Sequence, residues 1–86
     1  MSAQSRQVPP YMKIVNALSR DIEGGVLKVG DPVPPESALM GRFDVSRGTA
    51  RRAIGVLREW GLIETTWGRG SRVIAVGRTD QATGDE

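Results

Sequence analysis

The chain has 86 residues, no cysteine, no histidine and a formal net charge of only +2. This length fits one small domain, and the missing residue types exclude disulfides, thiolate metal sites and a histidine general base. No apolar run approaches the ~20 residues of a membrane span and no signal-peptide core follows Met1. We therefore expect a soluble, cytoplasmic protein without a metal or cofactor.

The charge is unevenly distributed along the chain. Between Arg42 and Arg72, seven arginines stand against three acidic residues, a net charge of +4, whereas residues 77–86 carry −2. A basic middle in a nearly neutral chain indicates a surface for a polyanion. A solvated charged helix would give the same count, so charge alone leaves both interpretations open.

The first predicted element is a helix from about Pro10 to Glu23, preceded by a polar stretch, residues 1–9, that predicts a flexible arm. Proline suits the first helical turn, and Gly24-Gly25 suits an exit that needs left-handed backbone. The inward side chains recur every four residues, at Ile14, Leu18 and Ile22.

A short second helix is predicted from Glu36 to Arg42. The prolines at positions 32, 34 and 35 forbid a helix before Glu36. Ala38 and Leu39 are expected to face inward. Because no Ser, Thr, Asp or Asn precedes this helix, we expect it to depend on packing for its stability.

The third helix is predicted from Arg47 to Trp60, with Ser46 as its N-cap and Gly61 as its stop. An inward stripe at helical spacing consists of Ala50, Ala53, Ile54 and Leu57. The arginines of this helix fall on its other faces. Arg58, near the helix end, is expected to pair with a local acid or with the helix dipole.

Two β-branched segments, residues 63–67 and 71–76, predict a hairpin around the loop Gly68-Arg69-Gly70. Trp67 is expected to cover this hairpin, and the polar residues 77–86 predict a linker or tail. The elements follow the order of a winged helix-turn-helix domain: helix, helix, turn, helix and hairpin. This predicted domain comprises residues 10–76. The predicted fold is mainly α with a small β-hairpin (α+β), three helices plus a two- or three-stranded wing.

Segments between Tyr11 and Val76 resemble the N-terminal DNA-binding domain of the GntR family of bacterial transcription regulators. The family motifs are matched in order by Gly25, "VGDPVPPESAL", "VSRGTARRAI", "GLI" and "GRGSRV". The chain departs from the pattern at three positions. Pro35 replaces a capping serine, Ser37 replaces an arginine that reaches DNA in many members, and Ala50 replaces a valine.

The resemblance implies sequence-specific binding of double-stranded DNA by a transcriptional regulator, which we interpret as a repressor. Helix 47–60 would enter the major groove of a palindromic operator, and wing 63–76 would meet the minor groove. A small-molecule effector would bind only a C-terminal domain that this chain lacks. We expect a fragment rather than a stand-alone protein, monomeric when isolated and homodimeric at full length.

Arginine suits such a surface because its planar fork grips guanine O6 and N7 or phosphate oxygens. By resemblance to the family, Arg47 and Arg51 are the candidate base-reading residues, whereas Arg52 would meet phosphate. Thr49 could contact DNA or bond locally within the first turn. The full set of predicted DNA-binding residues is Ser46, Arg47, Gly48, Thr49, Arg51, Arg52, Gly68, Arg69 and Ser37.

Two other function classes are weighed against DNA binding. A winged-helix module that binds protein or RNA is the alternative, although the arginine density of the third helix argues against it. An enzyme using "GRGS" as a phosphate cradle is disfavoured because no Walker lysine follows the glycines and no paired carboxylates lie near them. We therefore expect a protein that is not an enzyme.

Overall fold

The computed structural model describes residues 8–77, which form three helices followed by a two-stranded antiparallel sheet. The predicted winged helix-turn-helix architecture is confirmed. Most of the expected arm and tail, residues 1–7 and 78–86, lies outside the described residues. The elements are α1 (Pro10–Glu23), α2 (Glu36–Phe43), α3 (Arg47–Glu59), β1 (Ile63–Thr66) and β2 (Gly70–Val73).

Helix α1 has the predicted bounds because both of its ends are set by local chemistry. Pro10 occupies the first helical position, where its missing N–H costs nothing. At the other end, the N–H of Gly24 donates to the carbonyl of Arg20 at 2.8 Å, and Gly25 follows with φ of +85°. The buried face consists of Ile14, Val15, Leu18 and Ile22.

Helix α2 begins after Pro35 without a side-chain cap and runs one residue further than predicted. Leu39 is fully buried, but the expectation that Ala38 faces inward is wrong, because Ala38 is exposed. The helix ends at Phe43, and the left-handed φ of +56° at Asp44, its C-cap, turns the chain toward α3. Packing of Leu39 therefore holds α2 in place, as the lack of a cap predicts.

Helix α3 packs against α1, α2 and β1, and its predicted inward stripe is confirmed. Alanines at positions 50 and 53 are fully buried and keep the facing surfaces close. The helix ends at Glu59, one residue before the predicted end, and Trp60 lies half-buried against the core. Buried side chains among residues 8–77 are all apolar.

The wing is shorter than predicted. Strand β1 pairs with β2 from Ile63 opposite Val73 to Thr66 opposite Gly70. The prediction that the two strands extend to Trp67 and Val76 is therefore wrong. Trp67 belongs to the turn. At the other end, Ile74 still donates to the carbonyl of Leu62 at 2.8 Å, but the N–H of Leu62 donates to Leu57 at 3.1 Å, so the regular pairing stops there.

An extended segment before α2 adds a third row to the wing. The N–H of Val33 donates to the carbonyl of Ser71 at 2.9 Å, and the N–H of Val73 donates to Asp31 at 2.9 Å. Between these bonds Pro32 faces Arg72 as an isolated antiparallel bridge. The wing thus includes a partial third strand, within the predicted range of two or three.

Candidate nucleic-acid interface

Two arginines of α3 converge on one carboxylate of α2. Nη1 of Arg47 donates to Oε1 of Glu36 at 3.4 Å, and Nε of Arg51 donates to Oε2 at 3.3 Å. The arginine side chains are 57% and 67% exposed, and that of Glu36 is 29% exposed. The three groups form an open cluster with a net charge of +1, its two guanidinium groups fixed side by side.

The carboxyl group of Glu36 is ionised in this cluster. The hydrogen bond from Arg51 lowers its pKa below the ordinary value of 4.5, with further lowering by the charge of Arg51 and by Arg47. Partial burial acts in the opposite direction and is outweighed. Sequence reasoning missed Glu36, because only the packing of α2 on α3 brings its carboxylate to the two arginines.

The first turn of α3 presents short polar groups to solvent. The N–H of Thr49 donates to Oγ of Ser46 at 3.2 Å, and Ser46 Oγ in turn donates to Thr49 Oγ1 at 3.1 Å. The predicted N-cap is therefore confirmed, as is a local bond of Thr49. Gly48 is exposed, and a Cβ placed on it would meet only Ser46 Oγ, at 3.9 Å. Nothing within the fold requires glycine there.

Arg52 lies on a different side of α3 from Arg47 and Arg51. Its Cζ sits 4.2 Å from the ring centroid of Tyr11, on α1. A guanidinium over an aromatic face is weakly attracted to it while its N–H groups remain available at the ring's edge. The cationic surface of α3 is thereby divided between the α2 side and the α1 side.

A groove of about 460 Å³ separates α3 from the wing. Val33 and Ile54 contribute apolar side chains to it, and Arg51 belongs to its α3 wall. Arg58 and Arg69 line it as well, the second from the wing. The groove is therefore an apolar trough with cationic walls, continuous with the arginine cluster.

Arg58 connects the end of α3 to the wing. It lies in the last turn of the helix, which agrees with the predicted interaction with the helix dipole. The other predicted partner, a nearby acidic side chain, is absent among residues 8–77. Instead, its Nη1 donates to Oγ1 of Thr65 at 3.0 Å, and this oxygen lies 2.8 Å from Oγ of Ser71. This relay links the end of α3 to both strands of the wing.

The wing tip consists of Trp67, Gly68 and Arg69, all exposed. Gly68 has φ of +82°, a conformation that the turn requires and that glycine adopts without strain. The expectation that Trp67 covers the hairpin is wrong, because its side chain is 97% exposed. Ser37 is exposed on α2 and is not among the residues that line the groove.

The surface built by α3 and the wing is a cationic face with short hydroxyl donors and paired guanidinium groups, which suits recognition of phosphates and base edges. Within residues 8–77, no group of three or more His, Cys, Asp or Glu side chains could hold a metal ion. A helix with the length and apolar character of a membrane span is absent from the same residues.

Comparison with known protein families gives one match along nearly the whole described chain. Residues 10–73 match the family described as "Bacterial regulatory proteins, gntR family". The chain is 41% identical over 70 residues to a putative HTH-type transcriptional regulator, RmpR, of Mycobacterium gastri. It is 40% identical over 70 residues to the Glc operon transcriptional activator of Escherichia coli K12.

These alignments cover 81% of this chain but 26% and 28% of the two relatives. The chain therefore spans about a quarter of the length of the relatives it matches. Among solved structures, it is similar to the DNA-binding domain of AraR in complex with operator ORX1, with 36% identity and a TM-score of 0.75. That similarity covers 78% of this chain and 81% of the other.

Proposed function

Because the chain belongs to the GntR family of bacterial regulatory proteins, we propose that it binds double-stranded DNA sequence-specifically as part of a transcriptional regulator. The observation that carries this proposal is the pairing of Arg47 and Arg51 on Glu36 beside the wing groove. Two guanidinium groups held by one carboxylate near the start of a helix suit guanine edges in a major groove.

The remaining predicted site residues have distinct roles in this proposal. Arg52, on the α1 side of α3, would bind phosphate at one edge of the DNA major groove. The hydroxyl groups of Ser46 and Thr49 would donate to a second phosphate at the helix start, where the first N–H groups of α3 have no partner within the helix. Gly68 and Arg69 would approach the minor groove from the wing. Ser37 would at most contact the sugar-phosphate backbone of the DNA.

Assembly of the whole regulator is also a proposal. A single module of this kind buries a limited interface with DNA, so the isolated chain is expected to be a monomer that binds a half-site weakly. A full-length protein would dimerise and bind its effector through its remaining three quarters. Sedimentation of the 86-residue chain tests the first point, and a tight dimer without DNA would contradict it.

The test of DNA binding begins with selection of a bound sequence from a random duplex pool. Arg47→Ala and Arg51→Ala are then titrated against that duplex, with Arg20→Ala on the exposed side of α1 as the matched control. Each α3 substitution should weaken binding by about 1–3 kcal/mol, roughly 5- to 150-fold. Binding unchanged by both substitutions would overturn the proposed reading surface.

Salt dependence separates DNA binding from the alternative of a protein-binding winged helix. Neutralising phosphates releases counterions, so the affinity for DNA must fall steeply as salt rises. An affinity for the selected duplex that stays constant between low and physiological salt would contradict a phosphate-binding surface. The density of arginines on α3 and around the groove favours the steep dependence.

A further inference from the structure

The wing tip carries a large apolar side chain that the fold leaves uncovered. Trp67 is 97% exposed, whereas the other large exposed hydrophobic side chains among residues 8–77 are at most 70% exposed. Indole is one of the largest apolar groups that a protein can bury. Trp67 contributes almost nothing to the core, so its position is explained better by a surface outside the fold.

The turn of the wing places this indole at the apex. The N–H of Arg69 donates to the carbonyl of Thr66 at 2.9 Å, which closes a four-residue turn with Trp67 and Gly68 as its central positions. The positive φ of Gly68 completes the turn. Trp67 therefore extends beyond the last paired residues of the two strands.

The turn that carries Trp67 adjoins the groove between α3 and the wing. Arg69, two residues after Trp67, lines the groove between α3 and the wing together with Arg51. A duplex that receives α3 in its major groove would then meet the wing tip at the adjacent minor groove. The cationic Arg69 suits that groove, whose narrow form concentrates negative potential.

We propose that Trp67 enters the minor groove flanking the half-site, its ring against the deoxyribose walls and its N–H directed at a base-edge acceptor. This inference rests on the proposed DNA-binding function. Indole has one donor and no acceptor, which matches the acceptor-only minor-groove edge of an A·T pair. The N2 amino group of guanine would obstruct the same position, so Trp67 selects A·T pairs beside the half-site.

The first test measures affinity for the selected duplex by fluorescence anisotropy of labelled DNA. Trp67→Ala should bind roughly tenfold more weakly, the scale found when an aromatic contact with a nucleotide is removed. Val26→Ala is the matched control, because Val26 is a 70% exposed apolar residue at the exit of α1. Affinity of Trp67→Ala within twofold of the parent chain would overturn the proposal.

The second test changes only the minor groove. Inosine·cytosine pairs present the major-groove edge of G·C but lack the guanine N2 amino group, so their minor groove resembles that of A·T. Replacing flanking A·T by G·C should weaken the parent chain, inosine·cytosine should restore its binding, and Trp67→Ala should respond to neither change. Equal responses of the parent chain and Trp67→Ala would place the indole elsewhere.

The third test observes the indole directly. The chain contains two tryptophans, so its ¹H–¹⁵N spectrum has two indole signals, and the one missing from Trp67→Phe belongs to Trp67. That signal should shift on addition of the duplex and stay unchanged as protein concentration rises without DNA. A shift with concentration alone would assign the indole to a second protein copy and overturn the proposal.

The failure of this inference is distinguishable from failure of the proposed function. If the parent chain selects no duplex, or Arg47→Ala and Arg51→Ala both bind like the parent, DNA recognition through α3 is wrong and the Trp67 proposal falls with it. If Arg47→Ala loses affinity while Trp67→Ala keeps it, only the role of Trp67 is wrong. Circular dichroism of both variants should match the parent, since both side chains are exposed.

Discussion

Nε of Arg51 lies 3.3 Å from Oε2 of Glu36, joining α3 to α2 across fifteen residues of sequence. The same carboxylate accepts a hydrogen bond from Arg47 through its other oxygen. Glu36 therefore orients both arginines and at the same time cancels one of their two charges. Any phosphate or base that binds these guanidinium groups must compete with the carboxylate of Glu36.

Glu36→Gln should weaken discrimination between DNA sequences. Removing the carboxylate charge leaves the arginines more attractive to any phosphate, so binding to a scrambled duplex should tighten several-fold while binding to the selected duplex changes less. Anisotropy titrations of both duplexes measure the ratio. Glu23→Gln, an equal charge change at the exposed end of α1, is the control and should leave the ratio of the two affinities unchanged. If both substitutions change this ratio equally, Glu36 acts only through the net charge of the protein and not through its position beside the arginines.

The stability that Glu36 contributes should disappear in acid. Its folded-state pKa is lowered from the ordinary value of 4.5 by the hydrogen bond from Arg51. Stabilisation is therefore complete above about 4.5 and is lost as the pH falls through the lowered folded-state pKa. For so exposed a pair it amounts to less than about 1 kcal/mol. Denaturant unfolding of the parent chain and Glu36→Gln from pH 7 to pH 2 should show their difference shrinking, and a difference that grows toward acid would contradict the assignment.

Ser46 should have separable roles in stability and in DNA binding. Ser46→Ala removes the N-cap of α3 and should cost about 1 kcal/mol, which lowers the melting temperature of a domain this small by roughly 4–8 °C. Ser46→Asp keeps a capping oxygen and should keep the melting temperature. Its negative charge at the helix start should nevertheless weaken DNA binding, measured by anisotropy, and unchanged binding would place the duplex away from this end of α3.

Gly48→Ala should strengthen the fold and weaken the complex. The site has room for a Cβ in the free chain, and alanine is favoured over glycine in a helix by up to about 1 kcal/mol. Close approach of DNA to this backbone would make the added methyl group a clash. Gly55→Ala is the comparison for helix propensity, because its Cβ would also meet only one atom, at 3.9 Å. A DNA affinity of Gly48→Ala equal to that of the parent chain would show that Gly48 lies away from the duplex.

Most of the fold follows from local sequence signals. The bounds of α1 follow from periodicity plus Pro10 and the glycine exit, and the start of α3 follows from Ser46. Strand ends were less predictable because β-propensity reflects context. Ile74 to Val76 have suitable side chains, yet Ile74 and Ala75 share the one carbonyl of Leu62, whose N–H donates to Leu57 and not to β2.

The candidate site was less predictable than the fold. Residues of one helix, such as Arg47 and Arg51, can be grouped by their spacing, but a partner on another element cannot. Glu36 and Thr65 reach their arginines only through the packing of α2 and the wing on α3. Trp67 was misjudged because an aromatic residue in a hairpin usually packs, and only the turn geometry places it at the apex.

The partial third strand, residues 30–33, also determines whether another strand can pair with this edge of the sheet. Asp31 and Val33 direct their pairing groups toward β2, so Pro32 and Pro34 occupy the alternate positions that face away from the sheet. Neither proline has an N–H to offer an incoming strand. This border of the wing is thereby protected against edge-to-edge aggregation, which allows many copies of the domain to crowd together without their strands joining.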